Sequence, residues 1–376
     1  MDLHYILEEI RNNGYYEKDN FTFINDIAYY RKKINAISKK DIPSAYKQSF
    51  SFAVFRGCLY NFGVGSTLND DYKLYEDLVL IRRAVNLQLN TLPLIHDIKV
   101  EFASDDTEEY YRKALEDKDR VLIINSFHYS AYKLLLPYFL LKNCDVHLVA
   151  TSSIIKANKE KTDLFIAICE QLFGINASTT FVNVEDSLSL LKLYELFTAK
   201  SHQRKQILLI FPDGNLGSDK KNNNNTNLLK IKLHGVNIHI RQGIYSLAAT
   251  LKAPVINVIA ESSIQKVVMK VNGYFDFMHE TIKPDDFSLM LFEYFDAFLK
   301  RENFPSWECI MYLHTWIEKK QMDENVFVDK KTFDKNRYTY FELSDRKYVF
   351  DSNYFLSLEV QTDKIKDIVL KNNFYL

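Results

Sequence analysis

With 376 residues, 47% of them hydrophobic and 26% charged, the chain is long enough for one large domain or two ordinary ones, and its composition excludes a disordered or fibrous protein. A net charge of −1 supplies no whole-molecule field to gather nucleic acid or an anionic membrane, so no nucleic acid and at most peripheral membrane contact is expected. Ten glycines and seven prolines are few breakers for this length and point to long helices.

The opening MDLHYILEEIRNNGYY carries acids and no apolar stretch flanked by basic residues, unlike a secretory signal. Residues 1–118 read as a mostly helical region packed on the core, with helical spacing in YKLYEDLVLIRRAVNLQL (73–90) and again up to about 117. Strands and helices alternate from 121. VLIINSF (121–127) is an apolar run expected of a strand buried on both faces, and AYKLLLPYFLLKN follows as a helix. DVHLVA (145–150), TTFVNV (179–184), QILLIFPDG (206–214) and PVINVIA (254–260) read as further strands. Between them lie helices at 153–173, 185–200 and 241–252. This alternation predicts an α/β fold with a mostly parallel central sheet and helices on both faces, in a core spanning 119–320. In such sheets, ligands bind beyond the carboxyl ends of the strands. Lys220 to Asn227 (KKNNNNTN) reads as a mobile loop able to act as a lid. Helices are expected at 285–303 and 307–319. YTYFEL, RKYVFD and YFLSLEV predict a small β-rich C-terminal extension over 325–376, closed by a helix at KIKDIVLKN. The longest uncharged apolar run, LLLPYFLL (134–141), is too short to span a bilayer. Cys58, Cys144, Cys169 and Cys309 are scattered without metal-ligand spacing, as is ordinary in a reducing compartment. The expectation is a cytoplasmic protein with no metal or cofactor.

Three places can carry chemistry. His128 stands between the strand VLIINSF and the helix that follows, at the sheet edge where an imidazole can act as a general base; taken alone, a helix-capping or space-filling histidine is the better reading. Asp213 in FPDG follows another buried strand, so it should share that edge and can orient an imidazole; a Pro-Asp-Gly turn is an equal alternative. In KIKLHGVNIHIRQG, Arg241 can hold a phosphate or carboxylate in its planar fork, whereas His234 and His239 read better as a solvated strand edge. Gly214 and Gly243 flank these positions as candidate substrate contacts, together with Lys133.

The order of these features resembles the lipid A lauroyl/myristoyl acyltransferase family of the lysophospholipid acyltransferase superfamily. The matching features are a strand followed by His128 and a helix, a strand followed by FPDG-x-x-G, and Leu-His-Gly. A Gly243-led helix before LAATLKAPVINVIA follows, and then FPSWECIMYLHTW (304–316), whose Trp307 sits one residue early against the family's Pro-x-x-Trp. The resemblance covers about 121–318. It implies that His128 is a general base, that the donor is an acyl thioester on an acyl carrier protein or coenzyme A, and that the acceptor carries an amine or hydroxyl. Family members place an acid five residues after this histidine; here that residue is Lys133, which opposes the imidazolium formed in the transition state. His4 with Glu9 and His96 with Glu101 fit the His-x4-Glu spacing but do not follow a buried strand, so they read as chance. Asp213 is the candidate replacement acid. Relatives that act on membrane lipids also begin with a hydrophobic anchor, which the opening lacks. The expectation is a soluble acyltransferase with a small-molecule or peptide acceptor other than lipid A; the alternative is a binding or scaffold protein that keeps the fold without the chemistry.

Overall fold

A computed structural model describes residues 2–18, 21–198, 202–214, 228–299, 301–308, 310 and 336–360. In chain order its elements are α1 (Leu3–Asn13), β1 (Tyr15–Lys18), β2 (Phe21–Ile24), α2 (Ile27–Asn35), α3 (Phe50–Asn61), α4 (Leu68–Gln88), α5 (Leu92–His96), β3 (Lys99–Phe102), α6 (Asp105–Glu116) and β4 (Leu122–Asn125). They continue with α7 (Leu135–Leu141), β5 (Asp145–Ala150), α8 (Ser152–Phe173), β6 (Thr179–Asn183), α9 (Ser187–Thr198), β7 (Gln206–Ile210), β8 (Leu228–Leu233) and β9 (Val236–Arg241). The last are α10 (Gly243–Leu251), β10 (Pro254–Ser262), β11 (Val267–Asp276), α11 (Pro284–Asp296), β12 (Tyr338–Leu343), β13 (Arg346–Asp351) and β14 (Leu356–Glu359).

The chain forms two compact units that interleave along the sequence. The first comprises 1–37, 81–213 and 242–295; the second comprises 38–80, 214–241 and 296–376. Sequential divisions at 118 and 320 therefore do not follow the compact units.

The first unit is built on a seven-stranded sheet in the order β3-β11-β10-β4-β7-β5-β6. The five strands from β10 to β6 are mutually parallel, as the strand-helix alternation predicts. β11 runs antiparallel to β10, and β3 pairs parallel with β11 at the edge. Successive side chains point to opposite faces, so each central strand feeds two cores. Leu122, Ile124, Ile207, Leu209 and Ile256 pack on one face with α1, α5, α6, α7 and α8. Ile123, Leu208 and Val255 pack on the other with α9, α10 and α11. Both faces are apolar, which is why VLIINSF and QILLI carry no alternation in sequence.

Residues 1–118 are mostly helical, as read from sequence, with the β1–β2 hairpin and β3 added among the helices. The KVEF strand, at the sheet edge, alternates exposed and half-buried residues, and four residues are too few for a periodic signal. β11 follows the last core strand read from sequence, PVINVIA, and was not read as a strand itself. Its polar Lys270 and Asn272 sit at half-buried positions.

In the second unit, β8 and β9 form a hairpin whose two-residue turn, His234-Gly235, takes positive φ at both positions (47° and 80°). That is the primed turn whose twist matches flanking strands. β12, β13 and β14 form a three-stranded antiparallel sheet, turned at Ser344 and Asp345, both at positive φ. The β-rich C-terminal region read from sequence is present, and within the same unit α3 packs against its strands. Arg56 on α3 donates from Nη1 to the Tyr338 carbonyl at 2.8 Å and pairs with buried Asp71 at 3.3 Å. A Cβ on Gly57 would come within 2.6 Å of the Phe350 ring, so the approach of helix to strand requires glycine there. The 307–319 helix falls almost wholly outside the described residues; Trp307 itself is buried. The KKNNNNTN tract and the closing KIKDIVLKN helix fall outside them entirely.

Candidate active site

β4 and β7 are parallel neighbours in a register that sets Asn125 opposite Ile210. Three residues further along both chains, the same offset sets His128 opposite Asp213. The ladder continues past the strand ends, with Ser126 N donating to the Ile210 carbonyl at 3.0 Å. Two parallel strands thus deliver an imidazole and a carboxylate to adjacent points of the carboxyl edge, where open α/β sheets bind ligands.

The Asp213 carboxylate is completely buried and grips His128 twice. Its Oδ1 lies 2.8 Å from His128 Nδ1, and the His128 backbone N–H donates to Oδ1 at 3.2 Å and Oδ2 at 2.9 Å. The backbone donor fixes the carboxylate, and the carboxylate then fixes the ring. A carboxylate acceptor at Nδ1 selects the tautomer with its proton on Nδ1, leaving Nε2 as the basic nitrogen. Among the described residues no hydrogen bond reaches Nε2.

The turn carrying His128 is pinned on its other side by β10. Ser130 takes a left-handed conformation (φ 51°), an uncommon state for a residue other than glycine. Its Oγ accepts from Ser262 N at 2.7 Å, and Ala131 N donates to the Ala260 carbonyl at 2.9 Å. The imidazole packs against two aromatic rings that also touch each other: Tyr132 at 4.7 Å and Phe211 at 4.8 Å between centroids, with 5.4 Å between those two rings.

His128, Tyr132 and Phe211 open onto a cavity of about 220 Å³ walled by apolar side chains, among them Phe23, Leu136, Leu140, Leu148, Phe165 and Phe181. Its polar lining comes from Asn90, Asn158, Lys161 and Thr162 as well as His128, Tyr132 and Lys133. All described lining residues belong to the first unit. The cavity lies under the start of α8 and α7, on the sheet face that carries Leu209 and Leu148. An apolar cavity with a few convergent polar groups is the usual form of a small-molecule site.

The structure brings together three of the six residues singled out from sequence. His128 and Asp213 are hydrogen-bonded, and Lys133 lines the cavity with its ammonium 5.4 Å from the Tyr132 ring centroid. Gly214 follows Asp213 but is not among the lining residues. Gly243 opens α10, where a Cβ would meet nothing within 4 Å, so no close approach demands glycine there. Arg241 is the exposed last residue of β9 in the second unit and is not among the residues that line the cavity. The strand-end argument that located Asp213 does not apply to Arg241, whose strand belongs to a separate hairpin. His4 and His96 are exposed, each beside a local acid, Glu8 or Asp97.

Tyr132, Phe211 and the α8 wall were missed. Phe211 stood within FPDG, and Ile154, Asn158, Lys161 and Phe165 recur at the spacing of one helix face, which was the available signal. Among the described residues no cluster of histidine, cysteine or acidic side chains is placed to hold a metal, and no helix is long and apolar enough to cross a membrane. The described cysteines, Cys58, Cys144 and Cys169, are buried and unpaired by disulfides.

Compared with known proteins, the chain matches no protein-family model and no curated sequence.

Proposed function

We propose that the protein is an acyltransferase in which His128 is the general base and Asp213 its orienting acid. The acyl donor is a thioester, on an acyl carrier protein or coenzyme A, and the acceptor presents an amine or hydroxyl. One observation carries this reading: a buried carboxylate 2.8 Å from Nδ1 of an imidazole that opens onto an apolar cavity. As the acceptor oxygen or nitrogen attacks the thioester carbonyl, Nε2 takes its proton, and the positive charge formed on the ring is stabilised by Asp213. Collapse of the tetrahedral intermediate expels the thiolate, which can recover that proton from Nε2–H. The carboxylate keeps Nε2 aimed at the cavity.

Lys133 is the observation that favours the scaffold alternative, because it stands where the resembling family has an acid. The hydrogen bond from His128 Nδ1 to Asp213 weakens that alternative, since Nδ1 already has a carboxylate partner supplied from the neighbouring strand. A mass-spectrometric assay of the purified protein with a panel of acyl thioesters and amine or hydroxyl acceptors tests the proposal. Transfer that needs both His128 and Asp213 is the expected result. Absence of any acylated product, with the protein folded and the thioesters intact, supports the scaffold instead.

A further inference from the structure

One wall of the cavity is charged in a way the transfer chemistry does not use. Asn158, Lys161, Thr162 and Phe165 fall at the spacing of one face of α8, and all four line the cavity. Phe165 packs in the core, while Lys161 is half-buried one turn before it. Among the described residues nothing forms an ion pair or hydrogen bond with the Lys161 ammonium, and no aspartate or glutamate appears in the lining. Burial pushes the Lys161 ammonium below its ordinary value with no opposing partner. A lysine held against apolar walls without a counter-charge is a destabilising arrangement that an anionic ligand would relieve.

The volume bounds the rest of the ligand. An apolar cavity of about 150 Å³ takes benzene, with its six heavy atoms. In proportion, the 220 Å³ here holds roughly nine heavy atoms.

We propose that the cavity binds a short aliphatic acid, a carboxylate or phosphate ester of up to roughly nine heavy atoms, with its anionic group on Lys161 and its chain along the apolar walls. Asn158 and Thr162, on the same face of α8, supply further polar contacts to that group. The inference rests on the reading that this cavity is the substrate site, but it does not depend on acyl transfer taking place.

Titration calorimetry with hexanoate, butyl phosphate and hexan-1-ol separates the two. Both anions should bind the wild-type protein more tightly than the alcohol, by roughly tenfold to a hundredfold for a hydrogen bond to a charged group. Lys161→Met should remove that preference and leave hexan-1-ol binding as it was, which also shows that the variant is folded. Lys161→Arg should keep it. A preference for hexanoate over butyl phosphate, or the reverse, identifies the acid. Equal binding of alcohol and anions by the wild-type protein overturns the proposal, as does an anion preference that survives Lys161→Met. No binding of any of the three overturns it as well. A preference lost in His128→Ala but kept in Lys161→Met would move the anion to the imidazole and refute the assignment to Lys161. Loss of thioester transfer with these binding results intact would count against the transferase reading alone.

Discussion

Asp213→Asn discriminates sharply, because the geometry fixes what the amide must do. The His128 backbone N–H points at the carboxylate, at 2.9 and 3.2 Å, and cannot turn away. The asparagine oxygen must therefore face that donor, and its NH2 group then faces Nδ1, where Asp213 Oδ1 now sits at 2.8 Å. The ring can satisfy the NH2 group only by giving up its Nδ1 proton, which moves to Nε2 and removes the basic lone pair from the cavity side. The hydrogen bonds to His128 remain satisfied, so the change in unfolding free energy from these contacts should be small, under about 1 kcal/mol. The rate, by contrast, should fall by up to the loss expected on removing the base, ~100-fold to 10,000-fold, because the base is held in the wrong tautomer. Two readouts check this: acyl-transfer rates with saturating thioester, and 15N NMR of the imidazole. The wild-type ring should carry its proton on Nδ1 and the variant on Nε2. A variant within threefold of wild type, or one whose ring keeps its Nδ1 proton, would refute the reasoning.

Three further outcomes follow from the same structure. Lys133→Asp puts a carboxylate on the cavity wall, but Nδ1 is already occupied by Asp213, so transfer should not rise; a gain of orders of magnitude, read by the same assay, would show that Asp213 does not serve the ring. Ala150→Leu adds bulk to a cavity wall that is now small, and should shorten the preferred acyl chain in a chain-length series; an unchanged profile would place the chain elsewhere. Burial alone would raise the carboxyl of Asp276, but hydrogen bonds from Arg120, the Met278 backbone and Tyr110 hold it below the usual carboxylate range. A depressed carboxyl contributes stability that is present above its unfolded value, near pH 4, and is lost as pH falls through the folded value. Urea unfolding should therefore show a shallower acid-side loss in Asp276→Asn than in wild type, and parallel curves would contradict the assignment.

The parallel core was legible in the sequence because its strands are buried on both faces, so VLIINSF, DVHLVA and QILLI stand out as apolar runs. The same feature made Asp213 findable: two strands each ending in a polar residue put His128 and Asp213 on one edge, and the register between β4 and β7 turned that coincidence into a contact. That strand-end argument does not extend to Arg241. Arg241 ends a hairpin strand of its own, and nothing in KIKLHGVNIHIRQG distinguishes a separate hairpin from a strand of the main sheet. β3 and β11 were missed because edge and mixed strands carry polar residues in place of an apolar run. The interleaving of 38–80 with the C-terminal strands depends on contacts such as Arg56 to the Tyr338 carbonyl, 282 residues apart in sequence, which no local pattern announces.

The central claim is that His128 acts as a base on acyl thioesters bound in the 220 Å³ cavity. Thiol release from a graded series of short acyl-coenzyme A and acyl carrier protein thioesters, followed with a thiol-reactive dye, tests it most directly when wild type and His128→Ala are run side by side with a nucleophile. The account predicts release by the wild-type protein that falls ~100-fold to 10,000-fold in His128→Ala, with circular dichroism unchanged. Release no faster than in buffer, or equal in both proteins, would contradict it.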